Sequence, residues 1–442
     1  MAGESVRWDS IFLEELADPE SKAIVSGPFG SNISSKFFVE EGVPVIRGKN
    51  LSLQMERFID EGFVFITSEK AKELGNVDAV CDDIIFTAAG TIGQIGLMPS
   101  DSRFPIYVIS NKQIRVRLNK ALVIPVFVYY CLANPQMVAH IQRLNTGSTV
   151  PLINLSIVKK LKVPLPPLAE QKAIAHILGT LDDKIELNRR MNETLEEMAR
   201  TLFKSWFVDF DPVRAKLDGR QPAGMDAETA ALFPAEFQDS ELGKIPKGWE
   251  VKRLDDEFNI TMGQSPPGKT LNEDLEGVPF YQGKRDFGFR FPQRRVYCTE
   301  PKRFANEGDT LVSVRAPVGS LNWANEKICI GRGVGAIRHE NGFCSFTYYL
   351  MQSLGPHFDN FNGEGTVFGS INKKDFQGIQ YCHSNSRLVN SFETIASKWD
   401  KLISVNSRNI SSLASLRDTL LPKLLSGELR IKDAEKFMEN AL

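Results

Sequence analysis

The chain is poor in the residues that build metal and disulfide frameworks. It has six cysteines (Cys81, Cys131, Cys298, Cys329, Cys344 and Cys382), no C-x-x-C pair, and a close histidine only where Cys382 adjoins His383. A structural zinc or a disulfide scaffold needs tighter spacing, so no metal site is expected. Histidine is scarce, at five residues in 442, and neither a Ser-His-Asp nor a paired-carboxylate arrangement is evident, so no catalytic residue is nominated. Long apolar runs are also lacking. The longest, Ala121 to Ala133, is too short to span a bilayer, carries Pro125 and reads as a buried segment. The opening MAGESVRWDSIFLEEL places acids where a secretory leader needs a basic and then an apolar stretch, so a cytoplasmic protein with no membrane partner is expected. Net charge is only -2 and argues neither for nor against nucleic acid. A hydrophobic content of 42% with 24% charged residues describes a globular chain, and at about 150 residues per domain it should fold as several units.

What the sequence does have is itself, twice. GVPVIRGKN (Gly42 to Asn50) recurs as GVPFYQGKR (Gly277 to Arg285), an offset of 277 - 42 = 235. DIIFTAAGTIGQIGL (Asp83 to Leu97) recurs as DTLVSVRAPVGSLNW (Asp309 to Trp323), at 226, each reading as strand, turn and strand. GSTVPLIN (Gly147 to Asn154) recurs as GTVFGSIN (Gly365 to Asn372), at 218. From there the halves stay in step through two helical patterns. With Ile174 at a heptad a position, the first helix has a = Ile174, Leu181, Asn188, Leu195, Leu202 and d = Ile177, Lys184, Met191, Met198. Adding 218 gives a = Phe392, Trp399, Asn406, Leu413, Leu420 and d = Ile395, Leu402, Asn409, Leu416, Lys423. A polar residue at the same a position of two equally phased helices is a register device of paired helices. Gly427, after LLPKLLS, is placed as the cap that closes the second helix. Phe210 to Lys247, rich in Asp, Pro, Gly and Ala with isolated Leu232, Phe233 and Phe237, reads as a connector.

Two strings suggest enzymes and are set aside on chemistry. GQSPPGKT (Gly263 to Thr270) fits the nucleotide-loop pattern, but that loop turns successive N–H groups onto phosphates and Pro266 and Pro267 each remove one; Gly277 and Pro279 then follow where a helix is required. GRGVGA (Gly331 to Ala336) has no amphipathic helix after it and reads as a strand. A DNA adenine methyltransferase would need a D/N-P-P-Y/F loop, and neither NPQM (Asn134 to Met137) nor DPVR (Asp211 to Arg214) supplies one. A stand-alone NTPase or methyltransferase is therefore the disfavoured alternative, along with a scaffold that keeps only a helical interaction surface.

The duplicated plan, PLPPLAEQKAI leading into a helix that ends FKSWF (Phe203 to Phe207), and LLPKLLSGELRI (Leu420 to Ile431) resemble the specificity subunits of type I restriction-modification systems along essentially the whole chain. The second repeat departs from the pattern, with QYCHSNSRLV (Gln380 to Val389) in place of the proline string. The resemblance implies an α+β fold with two pseudo-repeated target recognition domains, each followed by a long helix, the two helices pairing as an antiparallel coiled coil. Its expected divisions are 1–160 for the first recognition domain, 161–209 for the central helix, 210–246 for the connector, 247–378 for the second recognition domain and 379–442 for the last helix. It implies a non-catalytic subunit that reads an asymmetric bipartite target on double-stranded DNA and scaffolds two methyltransferase subunits and, in the full complex, restriction subunits. No cofactor is expected on this chain; S-adenosylmethionine, ATP and Mg would belong to those partners.

Base edges are read by Arg, Lys, Asn and Gln, so the DNA-facing candidates come from polar loops of each half. In the first they are Arg47, Lys49, Asn50, Asn111, Lys112 and Gln113. In the second, where basic and aromatic residues interleave from Tyr281 to Arg303, they are Gln282, Lys284, Arg285, Arg294, Arg295, Arg315 and Arg332.

Overall fold

The computed structural model describes residues 8–19, 22–362 and 369–429. Two compact units emerge, Met1–Asn188 with Arg408–Leu442 and Arg189–Ser407, and the divisions fall inside the two long helices. Among the described residues no helix is long and apolar enough to cross a membrane.

In the first unit an antiparallel sheet runs in the order Ile24–Ser26, Gln113–Val116, Ile84–Thr87, Ile95–Leu97. A second sheet runs Val64–Ile66, Val43–Ile46, Tyr107–Ile109, Asp78–Ala79, and its central pair is parallel, with Val45 opposite Val108 and Ile46 opposite Ile109. The apolar run of Ala121 to Ala133 forms the helix Pro125–Ala133, with proline at its start, where a missing N–H costs nothing. It is buried almost all round, as its lack of any polar face requires.

The second unit repeats this plan. Its antiparallel sheet runs Phe258–Met262, Val334–His339, Thr310–Ser313, Leu321–Trp323. Its other sheet runs Leu271–Asn272, Val296–Cys298, Val278–Tyr281, Ile328–Ile330, Phe304–Ala305, again with a parallel central pair, Phe280 opposite Cys329 and Tyr281 opposite Ile330. The strand-turn-strand readings of Asp83 to Leu97 and Asp309 to Trp323 are both met. Each globular part is closed by a short antiparallel pair that joins its beginning to its end, Ser10–Phe12 with Lys162–Pro164 and Glu250–Arg253 with Gln380–His383. The recognition parts therefore extend a few residues beyond the expected limits at 160 and 378.

The stretch from 210 to 246 is not a bare connector. It forms the helices Asp211–Leu217 and Ala227–Ala231 and the hairpin Phe237–Ser240 with Gly243–Pro246. Phe210, Val213, Phe233 and Ile245 are buried beside Trp206 and Trp249. Apolar residues too scattered to show a period still make a core when neighbours from elsewhere complete it.

Both long helices, Leu168–Phe207 and Ser386–Leu425, are 40 residues long and start 386 - 168 = 218 residues apart, so loss of the proline string does not move the second start. Gly427 adopts φ +71° and its N–H donates to the Leu424 carbonyl, closing the helix as expected. In the first unit Ile174, Leu178, Leu181 and Ile185 share a core with Leu413, Leu420, Leu421 and Leu424. In the second, Ala199, Phe203, Trp206 and Phe207 share one with Leu388, Val389, Phe392 and Ala396, while Leu202 and Trp399 lie half-buried at its edge. The heptad phase needs one correction. Lys184, Met191, Met198, Leu402 and Asn409 of the d line are exposed, and the buried line lies four residues after the a positions: Leu178, Ile185, Asn192, Ala199, Trp206 and, in the second helix, Ala396, Ile403, Arg417, Leu424, with Ile410 half-buried among them. Asn188 and Leu195 are only half-buried, and the seam asparagines are Asn406 and Asn192, whose Nδ2 donates to Ser407 Oγ at 3.3 Å. The four-residue line was the more apolar of the two, and a helix turning every 3.6 residues accepts either spacing.

The basic and aromatic stretch from Tyr281 to Arg303 holds one buried cation. Arg290 is 1% exposed, not on the surface. Its guanidinium donates to Asp400 at 2.8 Å, Glu196 at 3.2 Å and the Tyr349 hydroxyl at 2.9 Å, and lies 4.0 Å over the Tyr348 ring. Burial opposes its charge, but Tyr348 and Asp400 outweigh that and hold it more firmly protonated than a free arginine. The first unit has the counterpart. Arg57 donates to Asp183 at 2.9 Å, the Gly179 carbonyl at 2.8 Å and the Tyr130 hydroxyl at 3.3 Å, and Arg417 donates to Asp182 at 2.8 Å. In each unit a loop arginine thus ties the globular part to the helices.

Candidate nucleic-acid interface

The repeated strings come together at one end of each pair of sheets. In the first unit the Ser110 N–H donates to the Ile46 carbonyl at 3.0 Å, Gly27 to Gln113 at 2.9 Å, Ala88 to Lys112 at 2.7 Å and Gly90 to Pro151 at 2.9 Å. The loops that begin at Gly27, Arg47, Ala88, Ser110 and Gly147 therefore form one cluster. In the second unit Gly331 donates to Tyr281 at 2.9 Å, Gly263 to Val334 at 2.9 Å, Val314 to Gly333 at 3.0 Å and Ala316 to Gly369 at 2.9 Å. The wiring is the same, position for position. A Cβ on Gly27 would stand 1.8 Å from the Ser110 carbonyl oxygen, and one on Gly263 2.2 Å from that of Gly331, so only glycine permits either approach. Residues 365–368 of the second GTVFGSIN copy lie outside the described residues.

The nominated side chains divide by exposure. Lys49, Asn111 and Lys112 are exposed at the end of the first unit, and Arg47 is half-buried there. Gln282, Lys284, Arg285, Arg315 and Arg332 are exposed at the matching end of the second. Gln282 Oε1 accepts from Ser265 Oγ at 3.0 Å, and the Arg332 N–H donates to the same hydroxyl at 3.3 Å, which brings those three loops into contact.

Two nominees are structural instead. Asn50 is buried; its Oδ1 accepts from the Arg47 N–H at 2.9 Å and its Nδ2 donates to the carbonyls of Ile59 at 3.0 Å and Glu61 at 2.9 Å. Gln113 is buried as well, and its amide, oriented by its neighbours, donates to the Ile46 carbonyl and accepts from the Gly48 N–H, both at 3.2 Å. Both amides fasten loops, and a base edge cannot reach them. Arg294 and Arg295 are held by carboxylates, Arg294 by Glu326 at 2.7 Å and Arg295 by Asp286 at 2.9 Å. Glu326 precedes Ile328–Ile330, so Arg294 sits at the opposite end of that strand from Arg332.

The loops that open each cluster, SGPFGSN and GQSPPGKT, occupy equivalent places in the repeat, and neither supplies a residue named above as DNA-facing. Their shared signal is glycine followed within a few residues by proline at the same place in the repeat. GQSPPGKT forms a loop and a single short turn, Gly268–Thr270, followed by strand, so no helix N-terminus is there to face a phosphate chain.

Two modules of one topology, each presenting cations and amides on clustered loops, match one family. A model described as the type I restriction modification DNA specificity domain aligns with residues 8–197 and 246–380. The chain belongs to that family. Among the relatives of this specificity subunit is the "Putative type I restriction enzyme MjaX specificity subunit" of Methanocaldococcus jannaschii, 29% identical over 88% of each chain. Another is the "Type I restriction enzyme HindI specificity subunit" of Haemophilus influenzae, 27% identical over 74% of this chain and 83% of that one. A solved type I restriction-modification S subunit from M. genitalium has the same fold, with TM-score 0.57 over 96% of this chain and 97% of its own at 17% identity. The protein is a DNA sequence-specificity subunit of a type I restriction-modification system.

Proposed function

We propose that each unit reads one half of an asymmetric, two-part DNA target and that the long helices, paired antiparallel as a coiled coil, hold the halves a set distance apart. The observation that carries this reading is the matched loop cluster, identical in backbone wiring and different in side chains. Asn111 and Lys112 stand in one unit where Arg332 and Gly333 stand in the other, and Arg285 is exposed where Asn50 is buried. Different donors and acceptors on the same frame read different bases, so the target is not a palindrome.

The subunit is non-catalytic in this proposal. The exposed helix faces dock two methyltransferase subunits, and restriction subunits join them; S-adenosylmethionine, ATP and Mg are bound by those partners. Mapping methylated adenines in a genome that carries the system tests the reading. Two different half-sites separated by a fixed unread gap are expected, and a palindromic site would overturn it.

A further inference from the structure

Phe29 is the most exposed of the large apolar side chains among the described residues, at 85%. Its loop is not loose. It leaves the sheet at Ser26, is fastened by the Gly27 N–H to Gln113, turns tightly where Asn32 donates to the Phe29 carbonyl at 2.8 Å, and returns to the core at buried Ile33. Pro28 fixes the backbone just before the ring. The loop lies against the reading turn, since a Cβ on Gly30 would come 3.1 Å from Asn111 Nδ2. A large ring held out in water by a braced loop, beside the Asn111 amide, is preorganised for an apolar surface within a polyanion.

In the other unit the Gly27-to-Gln113 bond is matched by Gly263 to Val334, which puts Ser265 where Phe29 stands. Its hydroxyl is engaged with Gln282 and the Arg332 N–H. The wedge therefore has no equivalent there.

We infer that Phe29 inserts between adjacent base pairs of the half-site read by the first unit, unstacking one step while Asn111 and Lys112 engage its edges and backbone. Apolar wedges open a base step in this way, and aromatic stacking makes good part of the lost base stacking. This rests on the reading in which the first unit contacts DNA.

The test uses the subunit assembled with its methyltransferase partners and target duplexes carrying 2-aminopurine at successive positions of both half-sites. Apart from the methylated adenines, which the methyltransferase subunits flip out in both half-sites, fluorescence should rise at one step of the first half-site alone. Phe29→Ala should abolish the rise and weaken binding roughly tenfold, and Phe29→Trp should retain both. An unchanged signal and affinity in Phe29→Ala overturns the wedge while leaving DNA reading intact. Loss of the methyltransferase subunits from the Phe29→Ala complex also overturns it, by making the ring a protein contact. Absence of any protection of the first half-site by the wild-type complex would instead remove the underlying reading.

Discussion

Tyr349 donates its hydroxyl to Asp400 at 3.0 Å, and Tyr130 donates to Asp182 at 2.6 Å. The internal repeat relates these pairs, with 349 - 130 = 219 and 400 - 182 = 218, and an arginine donates to each tyrosine oxygen, Arg290 in one and Arg57 in the other. The third charge differs. Asp182 receives Arg417 from the second helix, whereas Arg290 receives Glu196 from the first.

Because Arg290 and Asp400 are both buried, removing one strands the other. Arg290→Met should destabilise the protein by about 3–5 kcal/mol, the cost of an uncompensated buried charge. Arg290→Met with Asp400→Leu should recover most of that loss, because both charges leave together. Urea unfolding of the three proteins measures this, and a double variant no better than the single would show that Asp400 is satisfied without Arg290.

Lys284 and Arg285 carry no partner carboxylate among the ion pairs of the described residues and stand at the reading end of the second unit. Lys284→Ala with Arg285→Ala should weaken target binding, lower the slope of log affinity against log salt by about two, and relax only the half-site read by that unit. Binding titrations at several salt concentrations, with each half-site mutated in turn, give the answer. Equal loss at both half-sites would count against the assignment.

The spacing role of the helices can be tested by length. One heptad added after Leu195 and one after Leu413 keeps the seam in phase and lengthens each helix by about 10 Å at roughly 1.5 Å per residue. At about 3.4 Å per base pair the variant should methylate the same half-sites across a gap longer by about two to four base pairs. Modification of the original spacing alone, by a variant that still assembles with its methyltransferase, would show that another element sets the gap.

Acid sensitivity should trace in part to His339. Burial depresses the pKa of its ring and that of His383; Lys252 and the neighbouring His383 add to the effect on His339, while Glu257 and Glu340 oppose it. Its Nδ1 accepts from the Asn341 N–H at 3.0 Å, a role that protonation removes. The unfolded chain takes up a proton near pH 6.5 that the fold resists, so stability is full above that pH and falls below it. His339→Asn should flatten this fall by at most about 1.4 kcal/mol per pH unit, the value of one proton. Unfolding free energies between about pH 5.5 and pH 7.5 measure it, a range of roughly one unit either side of the ordinary histidine value.

One strand-turn-strand unit in each half and the two long helices were legible because a duplicated sequence states each of them twice. Side-chain assignments were less so. Asn50 and Gln113 have the chemistry of base readers, and nothing in their local sequence distinguishes an amide facing water from one that fastens a loop to Ile46, Gly48 or Ile59. Arg290 sits among six other cations between Tyr281 and Arg303, and only the fold brings Asp400 and Glu196 to it from 110 and 94 residues away. The folding of 210–246 was hidden for the same reason: Phe233 acquires its neighbours from Trp206, remote in sequence.

The short strand pairs that close each globular part have a consequence for how specificity changes over time. Ser10 lies opposite Pro164, and Glu250 opposite His383, so each reading module leaves the remaining scaffold and rejoins it at a single place. A segment whose ends already meet can be exchanged for another of different length and sequence without straining the chain around it. Recombination with crossovers near these clasps would therefore deliver a new half-site in one event, leaving the helices, and with them the partner surfaces, as they were.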